Sequence, residues 1–293
     1  MKDLRNRKGW LEDSIKNFCL TSKHNSLKFA NQEKVWGEPL VGYSRGDDPL
    51  YKKFKQDIGP FYFTPEDLFR KTFPKMSVDQ SDLYVVSWIL PQTEATKIDQ
   101  RNTDYFPSER WIRSRKFGEE FNQKLRIYVE SLIQKNGKKA VAPLNSPFYA
   151  QKISSKYGRA SSWSERHTAY VSGLGTFGLC DGLITPRGKA VRFGSVVTDM
   201  PFPPSTRPYR DHHAYCLYHA NGTCKQCVDR CPVGALSEDG HDKEKCWTHV
   251  HEVNGPYIRK EMKLEAFGCG LCQTDVSCES DIPIEGKSGD NSK

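Results

Sequence analysis

Eight of the ten cysteines lie between Cys216 and Cys278, and their spacing constrains the chain more than any other feature. The run is Cys216-x7-Cys224-x2-Cys227-x3-Cys231-Pro232, followed by Cys246 and then by Cys269-x2-Cys272-x5-Cys278. Two CxxC pairs and a Cys-Pro step are what two iron–sulfur clusters require, because in two-cluster ferredoxin modules the Cys-Pro cysteine ligates the other cluster from its sequence neighbours. The spacing therefore predicts two four-iron, four-sulfur (4Fe–4S) clusters. One takes Cys216, Cys224, Cys227 and Cys278; the other takes Cys231, Cys246, Cys269 and Cys272. Zinc also uses CxxC pairs, but it has no need of the interlocking turn from Cys231 to Ala235, so iron–sulfur is the preferred reading. Two positions depart from the tight ferredoxin spacing. Asn221 stands three before Cys224, so Cys216 must reach in over a loop containing Gly222, and Cys272-x5-Cys278 is stretched. Both departures fall on the same cluster, whose surroundings are expected to be unusual.

Disulfides fit these cysteines less well, because the chain shows no export signal. The first ten residues, Met1 to Trp10, are basic but lead into no apolar stretch, and they hold no Arg-Arg pair. No apolar run approaches the roughly 18 residues of a membrane span, and mean hydropathy is −0.70. A cytoplasmic protein without membrane contact is expected. The formal charge of +8 raises nucleic acid as a partner. Two clusters at about −2 each would bring it near about +4, and the basic residues are scattered with no nucleic-acid-binding signature. A basic surface around an anionic partner or cofactor is the better reading.

At 293 residues the chain has room for one large or two moderate domains. Leu11, Ile15, Phe18 and Cys19 fall on one helical face, which makes Cys19 a packing residue. Leu40 to Tyr43 reads as a short strand. Thr64-Pro65-Glu66-Asp67 combines an N-cap, a proline at the first helical position and acids in the first turn, so a helix begins there. Leu83 to Leu90 is a nearly continuous β-rich apolar run, the pattern of an inner strand covered on both faces. Apolar positions from Phe117 to Ile133 recur at three and four, predicting a helix from about Trp111 to Lys135 that Asn136-Gly137 ends. Lys139 to Leu144 reads as another strand, and the β-α-β-α-β order suggests an α/β sandwich. Residues 145–165 read as an active-site flap or insertion, and Trp163 to Ser172 as a helix. Val191 to Thr198 is expected to complete a hairpin-like pair with Leu183 to Thr185. Four prolines between Pro201 and Pro208 mark the best boundary. The expected division is 1–205 and 206–283, with a disordered tail at 284–293.

Gly173, Leu174, Gly175, Thr176, Phe177 and Gly178 match GxGxxG, but a dinucleotide fingerprint needs a strand before and a helix after. Here a helix precedes and an extended segment follows. The glycines read instead as places where backbone approaches a large flat ligand. With Glu165-Arg166-x2-Ala169 before them, Leu183-Ile184 and Thr198-Asp199 after them, and then the cysteines, the chain resembles epoxyqueuosine reductases. More distantly it looks like the catalytic half of reductive dehalogenases. The likeness is weak from about Thr64 and firm from about Glu165 to Pro283. It implies an α+β protein: a nitroreductase-like α/β domain holding base-off cobalamin, followed by a ferredoxin-like domain with two 4Fe–4S clusters. Electrons would pass through the clusters to the corrinoid for a reductive reaction. The corrinoid cradle implied is Gly173 to Gly178 with Thr185, Ser195, Thr198 and Asp199, and Cys180 would pack beside it.

The family's Asp-Ser-Ala/Gly-Pro stretch, whose Asp is taken as proton donor, is replaced here by Asn145-Ser146-Pro147. An amide cannot supply that proton. A Tyr with a basic neighbour, as in the dehalogenases, is the substitute, and Arg166, His167 and Tyr170 are the catalytic candidates. Tyr149 and Tyr157, with Lys156 or Arg159, stay open beside them. Trp36, Trp88 and Trp111 are expected in core or groove wall. The expected partners are a ferredoxin or flavodoxin as electron donor and a small-molecule or nucleoside-like substrate, with tRNA not favoured. The alternative is a ferredoxin-type electron carrier without corrinoid that docks on a partner enzyme.

Overall fold

Local capping signals set where the helices begin. The computed structural model describes residues 2–283, so the tail expected at 284–293 lies outside the described residues. Helix α1 (Lys2–Thr21) buries Leu11, Ile15 and Cys19, each 3% exposed or less. Strand β1 (Leu40–Arg45) leads to α2 (Pro49–Ile58) and α3 (Pro65–Thr72). The α3 start is a capping box: Thr64 Oγ1 accepts from Asp67 N at 3.2 Å and Asp67 Oδ2 accepts from Thr64 N at 2.9 Å. Strand β2 (Tyr84–Pro91), α4 (Glu94–Arg101) and the long α5 (Glu109–Lys135) follow. Ser108 caps α5, and Gly137 at φ +74° lets the chain leave it. Next come β3 (Ala140–Val141), the hairpin β4 (Gln151–Ser154) and β5 (Gly158–Ser161), α6 (Glu165–Val171), the short pair β6 (Thr176–Phe177) and β7 (Leu183–Ile184), and β8 (Val191–Thr198).

One four-stranded sheet in the order β1-β2-β8-β3 organises this part, with every neighbouring pair antiparallel. β2 is an inner strand, as its apolar run predicts. Val86, Trp88 and Leu90 pack with Leu11 and Ile15 of α1 and with Phe121, Leu125 and Val129 of α5. Val85 and Ile89 face the other way, onto Tyr51, Leu68, Phe69, Ala169 and Tyr170. Each such fully buried side chain contributes about 1.5–3 kcal/mol, so α5 is fastened along most of its length. The expected hairpin partner for β8 was incorrect. β8 pairs with β2 from Tyr84↔Thr198 to Pro91↔Val191, while β7 pairs with β6. A strand apolar on both faces needs neighbours on both edges, and the two-residue β7 cannot cover it.

The chain between Pro201 and Pro208 runs along β1: Ser205 N donates to Tyr43 O at 2.9 Å, and Phe202 stacks on Tyr43 at 5.0 Å between ring centres. After it, among the described residues, come short elements, α7 (Leu217–Asn221), α8 (Gln226–Asp229), β9 (Leu236–Ser237), β10 (Gly240–His241) and α9 (Lys243–Thr248). The helical path continues through wider π-type turns to Met262. Much of the buried cluster here is cysteine: Cys180, Cys216, Cys227 and Cys278 with Leu179, Ile184 and Leu236. Backbone bonds join this part to the rest, from Lys189 N to Cys278 O at 2.9 Å and from Ala190 N to Glu279 O at 3.2 Å. Glu279 also pairs with Arg101 of α4, and Trp111 and Ile112 of α5 pack on Ile258 and Leu264.

Candidate functional site

The cysteines fall into two sets in space. Cys216, Cys224, Cys227 and Cys278 line one small cavity with Gly178, Leu179 and Ile184. Cys231, Cys246, Cys269 and Cys272 line a second cavity of about 450 Å³. The long gap before Cys224 is occupied by α7, which Gly222 closes at φ +75°. That turn carries the chain back toward the first cavity. In the Cys-Pro turn, Gly234 N donates to Cys231 O at 3.1 Å and Ala235 N to Cys231 Sγ at 3.2 Å. Cys272 follows Gly270, whose φ of +82° and contact with the Trp111 indole leave no room for a side chain. All ten cysteines are free thiols. Among the described residues no three His, Cys, Asp or Glu side chains converge as a single metal ion requires. Leaving aside Cys180, which also lines the larger cavity, four thiols at each of two spaces is the donor set of a 4Fe–4S cluster, so the residues present fit two such groups.

Cys180 lies with these thiols: 6% exposed, packed with Cys216, Cys227 and Cys278, and 4.0 Å from the carbonyl of Cys272. Lys189 Nζ is 3.5 Å from its sulfur. Burial works against that ammonium's charge, but Cys180 and then Cys278, Cys227 and Cys272 outweigh it and hold its pKa well above the ordinary lysine value.

The larger cavity is also walled by α5, the start of α6 and the start of β8. Arg115, Glu119, Asn122 and Arg126 stand four, three and four residues apart on α5, a polar stripe beside its apolar one. Glu119 accepts from Arg126 at 2.9 Å and from Arg192 of β8 at 2.6 Å. Burial acts to raise Glu119, yet Arg192 and Arg126 hold it at about 2. Arg115 is pushed down to about 9, by Arg192 first and by burial second. Glu165, at the start of α6, is 9% exposed and lies 3.6 Å from Arg126 Nε. Burial raises its pKa against the pull of Arg126. Both oxygens of Glu165, two nitrogens of Arg126, the Trp111 Nε1, the Gln92 Oε1 and both ring nitrogens of His249 are buried without a hydrogen-bond partner. All five residues line this cavity. Buried polar groups are normally paired, so this concentration is what a ligand rich in polar groups would satisfy.

The structure separates the three catalytic candidates. Arg166 lines the cavity and donates to Asp181 O at 2.5 Å. His167 does not line it. Its Nδ1 is 2.7 Å from Ser164 Oγ and its ring packs among Phe54, Tyr62 and Phe177. Burial, with Arg166 next, lowers its pKa to about 3, which disfavours the imidazolium form that would act as an acid. Tyr170 is turned to the core and stacks on Tyr209 at 5.3 Å. Tyr149 lines the cavity, whereas Tyr157 and Lys156 both bond to Asp57 and Arg159 pairs with Glu244. Trp36 and Trp111 are cavity walls, and Trp88 is core, bonded through Nε1 to Asn122 at 2.9 Å.

The expected cradle is not at the larger cavity. None of Gly173, Leu174, Gly175, Thr176, Phe177, Gly178, Thr185, Ser195, Thr198 or Asp199 lines it, and Gly178 lines the smaller one. The glycines make room for the chain itself. A Cβ on Gly173 would lie 2.6 Å from Thr206 O, and one on Gly175 2.2 Å from Ile184 O. Leu174 is in the core, and Phe177 pairs with Leu183. Thr176 Oγ1 accepts from Tyr215 N, and Thr185 Oγ1 donates to Gly188 O. Thr198 and Asp199 both bond Lys139 at the sheet's far end. Ser195 acts at one remove, accepting from Nε1 of the cavity residue Trp163 at 3.1 Å. Arg115, Glu119 and Arg126 escaped the sequence reading; the signal for them was the polar stripe on α5, whereas Arg192 lies on β8 and had none.

No family model matches the chain. The resemblance to epoxyqueuosine reductases stands among curated proteins. The epoxyqueuosine reductase of Bacillus anthracis is 34% identical over 116 residues, 38% of this chain and 28% of that protein. That of Listeria monocytogenes is 33% identical over 115 residues, with the same shares. The match thus spans little more than a quarter of the length of these relatives. Among solved structures, a selenomethionine-labelled epoxyqueuosine reductase superposes with a TM-score of 0.51 at 16% identity, covering 95% of this chain and 67% of that one. That likeness concerns the fold.

Proposed function

We propose that this protein is a reductase of the epoxyqueuosine-reductase type, in which two 4Fe–4S clusters feed electrons to a base-off corrinoid in the larger cavity. The observation that carries the reading is one shared wall. Cys231, Cys246, Cys269 and Cys272 line the same space as Trp36, Trp111 and the unpartnered polar atoms of Arg126, Glu165, Gln92 and His249. A bound corrinoid supplies a strongly reducing cobalt centre and a rim of amide groups. The chain's part is to hold and shape that space. Trp36 and Trp111 offer flat apolar walls. The N–H groups of Arg126 that make no hydrogen bond and the Trp111 Nε1 are donors for amide carbonyls, and Gln92 Oε1 is an acceptor for amide N–H. Glu119 fixes Arg126 and Arg192 in place.

With Asn145 where the relatives' pattern has Asp, Glu165 takes the role of proton source. Burial favours its neutral form, and it lines the cavity. The substrate is a small molecule or nucleoside-like compound, and a ferredoxin or flavodoxin supplies the electrons. Anaerobic loading with iron, sulfide and cobalamin tests the reading: the expected result is a cluster spectrum together with that of base-off cobalamin. Clusters without any bound cobalamin would leave an electron carrier. Turnover of epoxyqueuosine-containing tRNA by the loaded protein would move the substrate to tRNA.

A further inference from the structure

Among the described residues, Lys189 is the one lysine that lines both cysteine cavities. It is 3% exposed, and its Nζ meets Cys180 Sγ at 3.5 Å. Its own N–H donates to the carbonyl of Cys278, which places it beside the first thiol set. The sulfur groups that act on its ammonium are those of Cys180, of Cys278 and Cys227 from one set, and of Cys272 from the other. Space is kept for it: a side chain on Gly182 would meet Cys180 Sγ at 3.2 Å and Lys189 Cδ at 3.7 Å. A buried ammonium is costly unless negative charge balances it. No carboxylate is paired with this one among the described residues, so the negative charge of clusters held by the two thiol sets would supply that balance.

Given that the two thiol sets hold clusters, as proposed above, we infer that Lys189 is a built-in cation shared by both clusters, holding the reduction potential of each upward, with Cys180 as its anchor between them. Each cluster takes one electron from a low-potential donor and later gives up that electron, while Lys189 is unchanged. Reduction makes a cluster more negative, so a fixed positive charge stabilises the reduced form more than the oxidised one. In a buried site this effect is little screened by salt. A buried charge that lines both cavities is expected to change the reduction equilibrium at least tenfold.

The test uses the holoprotein purified without oxygen and titrated with dithionite and mediators while electron paramagnetic resonance follows each cluster. Lys189→Met keeps the length and removes the charge; Lys189→Arg keeps the charge. With iron content retained, Lys189→Met is expected to lower both midpoints by at least tenfold in the reduction equilibrium, 59 mV for a one-electron couple. Lys189→Arg should stay within threefold of the unaltered protein. A Lys189→Met protein with neither midpoint moved, or only one, overturns the inference. Should Lys189→Met lose its iron, the unaltered protein labelled with ¹⁵N-lysine decides. Nitrogen hyperfine coupling is expected on both reduced clusters, and its absence from either overturns the inference. An unaltered protein that forms no clusters is a separate result, visible before any variant is made, and it removes the underlying function.

Discussion

Replacing Gly188 with alanine should cost the protein one cluster without touching a cysteine. Gly188 sits at φ +70° in the turn before β8, and a Cβ there would lie 2.0 Å from Glu279 O, 2.2 Å from Glu279 C and 2.3 Å from Ser280 N. These are backbone atoms, so no side chain can swing aside, and the segment after Cys278 must retreat by more than about 1 Å to reach ordinary contact. The left-handed conformation costs alanine about 1–2 kcal/mol. The retreat also breaks the bonds from Lys189 N to Cys278 O and from Ala190 N to Glu279 O, at about 1 kcal/mol each. The sum is roughly 3–4 kcal/mol, concentrated where Cys278 enters the smaller cavity. Gly137 is the control, because its φ is +74° and a Cβ there meets nothing within 4 Å. Its alanine variant should pay only the conformational cost of about 1–2 kcal/mol. Iron and sulfide analysis of proteins purified without oxygen should give about four iron atoms for Gly188→Ala and about eight for Gly137→Ala. If Gly188→Ala keeps full iron and melts with Gly137→Ala, the reasoning about this junction is wrong.

Glu119→Gln should destabilise the protein by about 2 kcal/mol at pH 7, the drop of its pKa from 4.5 to about 2 discounted because its side chain is 33% exposed. A depressed carboxyl contributes fully above its unfolded pKa and loses that contribution as pH falls through its folded one. The gap to the unaltered protein in urea unfolding should therefore close between about pH 4.5 and about pH 2; a gap constant over that window contradicts the assignment. Burial pushes the Cys19 thiol up to about 12, so native protein should resist iodoacetamide at Cys19, and Cys19→Ala should keep all its iron. Stripping the clusters with chelator and oxidant should raise hydrogen exchange across Cys216 to Cys278, whose buried cluster is largely thiols, and leave β2 and α5 protected. Equal loss of protection in β2 would mean that the sheet depends on the metal.

The parts of the fold legible in the sequence are those set by local chemistry. Thr64 and Asp67 announced α3, the apolar repeat from Phe117 to Ile133 announced α5, and Leu83 to Leu90 announced an inner strand. Pairing was not legible. β2 and β8 are about a hundred residues apart, and nothing local says that Val85 lies opposite Val197. The glycine stretch misled for a related reason. Close backbone approach can be read from Gly173 and Gly175, but not whether the approaching group is a ligand or, as here, Thr206 and Ile184 of the same chain. The proposed division of the cysteines into two sets of four came from the Cys-Pro step; Cys180, which lines the larger cavity beside one set, had no place in that pattern. Lys189 had no local signature, because its setting is made by thiols reaching it from Cys180 to Cys278.

The central claim is that two separate four-thiol sets hold two clusters. Iron analysis with Mössbauer spectroscopy on the unaltered protein, Cys278→Ser and Cys246→Ser tests it most directly. About eight iron atoms per chain are expected in the unaltered protein and about four in each variant, with a different cluster lost in the two variants. Full iron in either variant, or zinc in place of iron in the unaltered protein, would contradict the account.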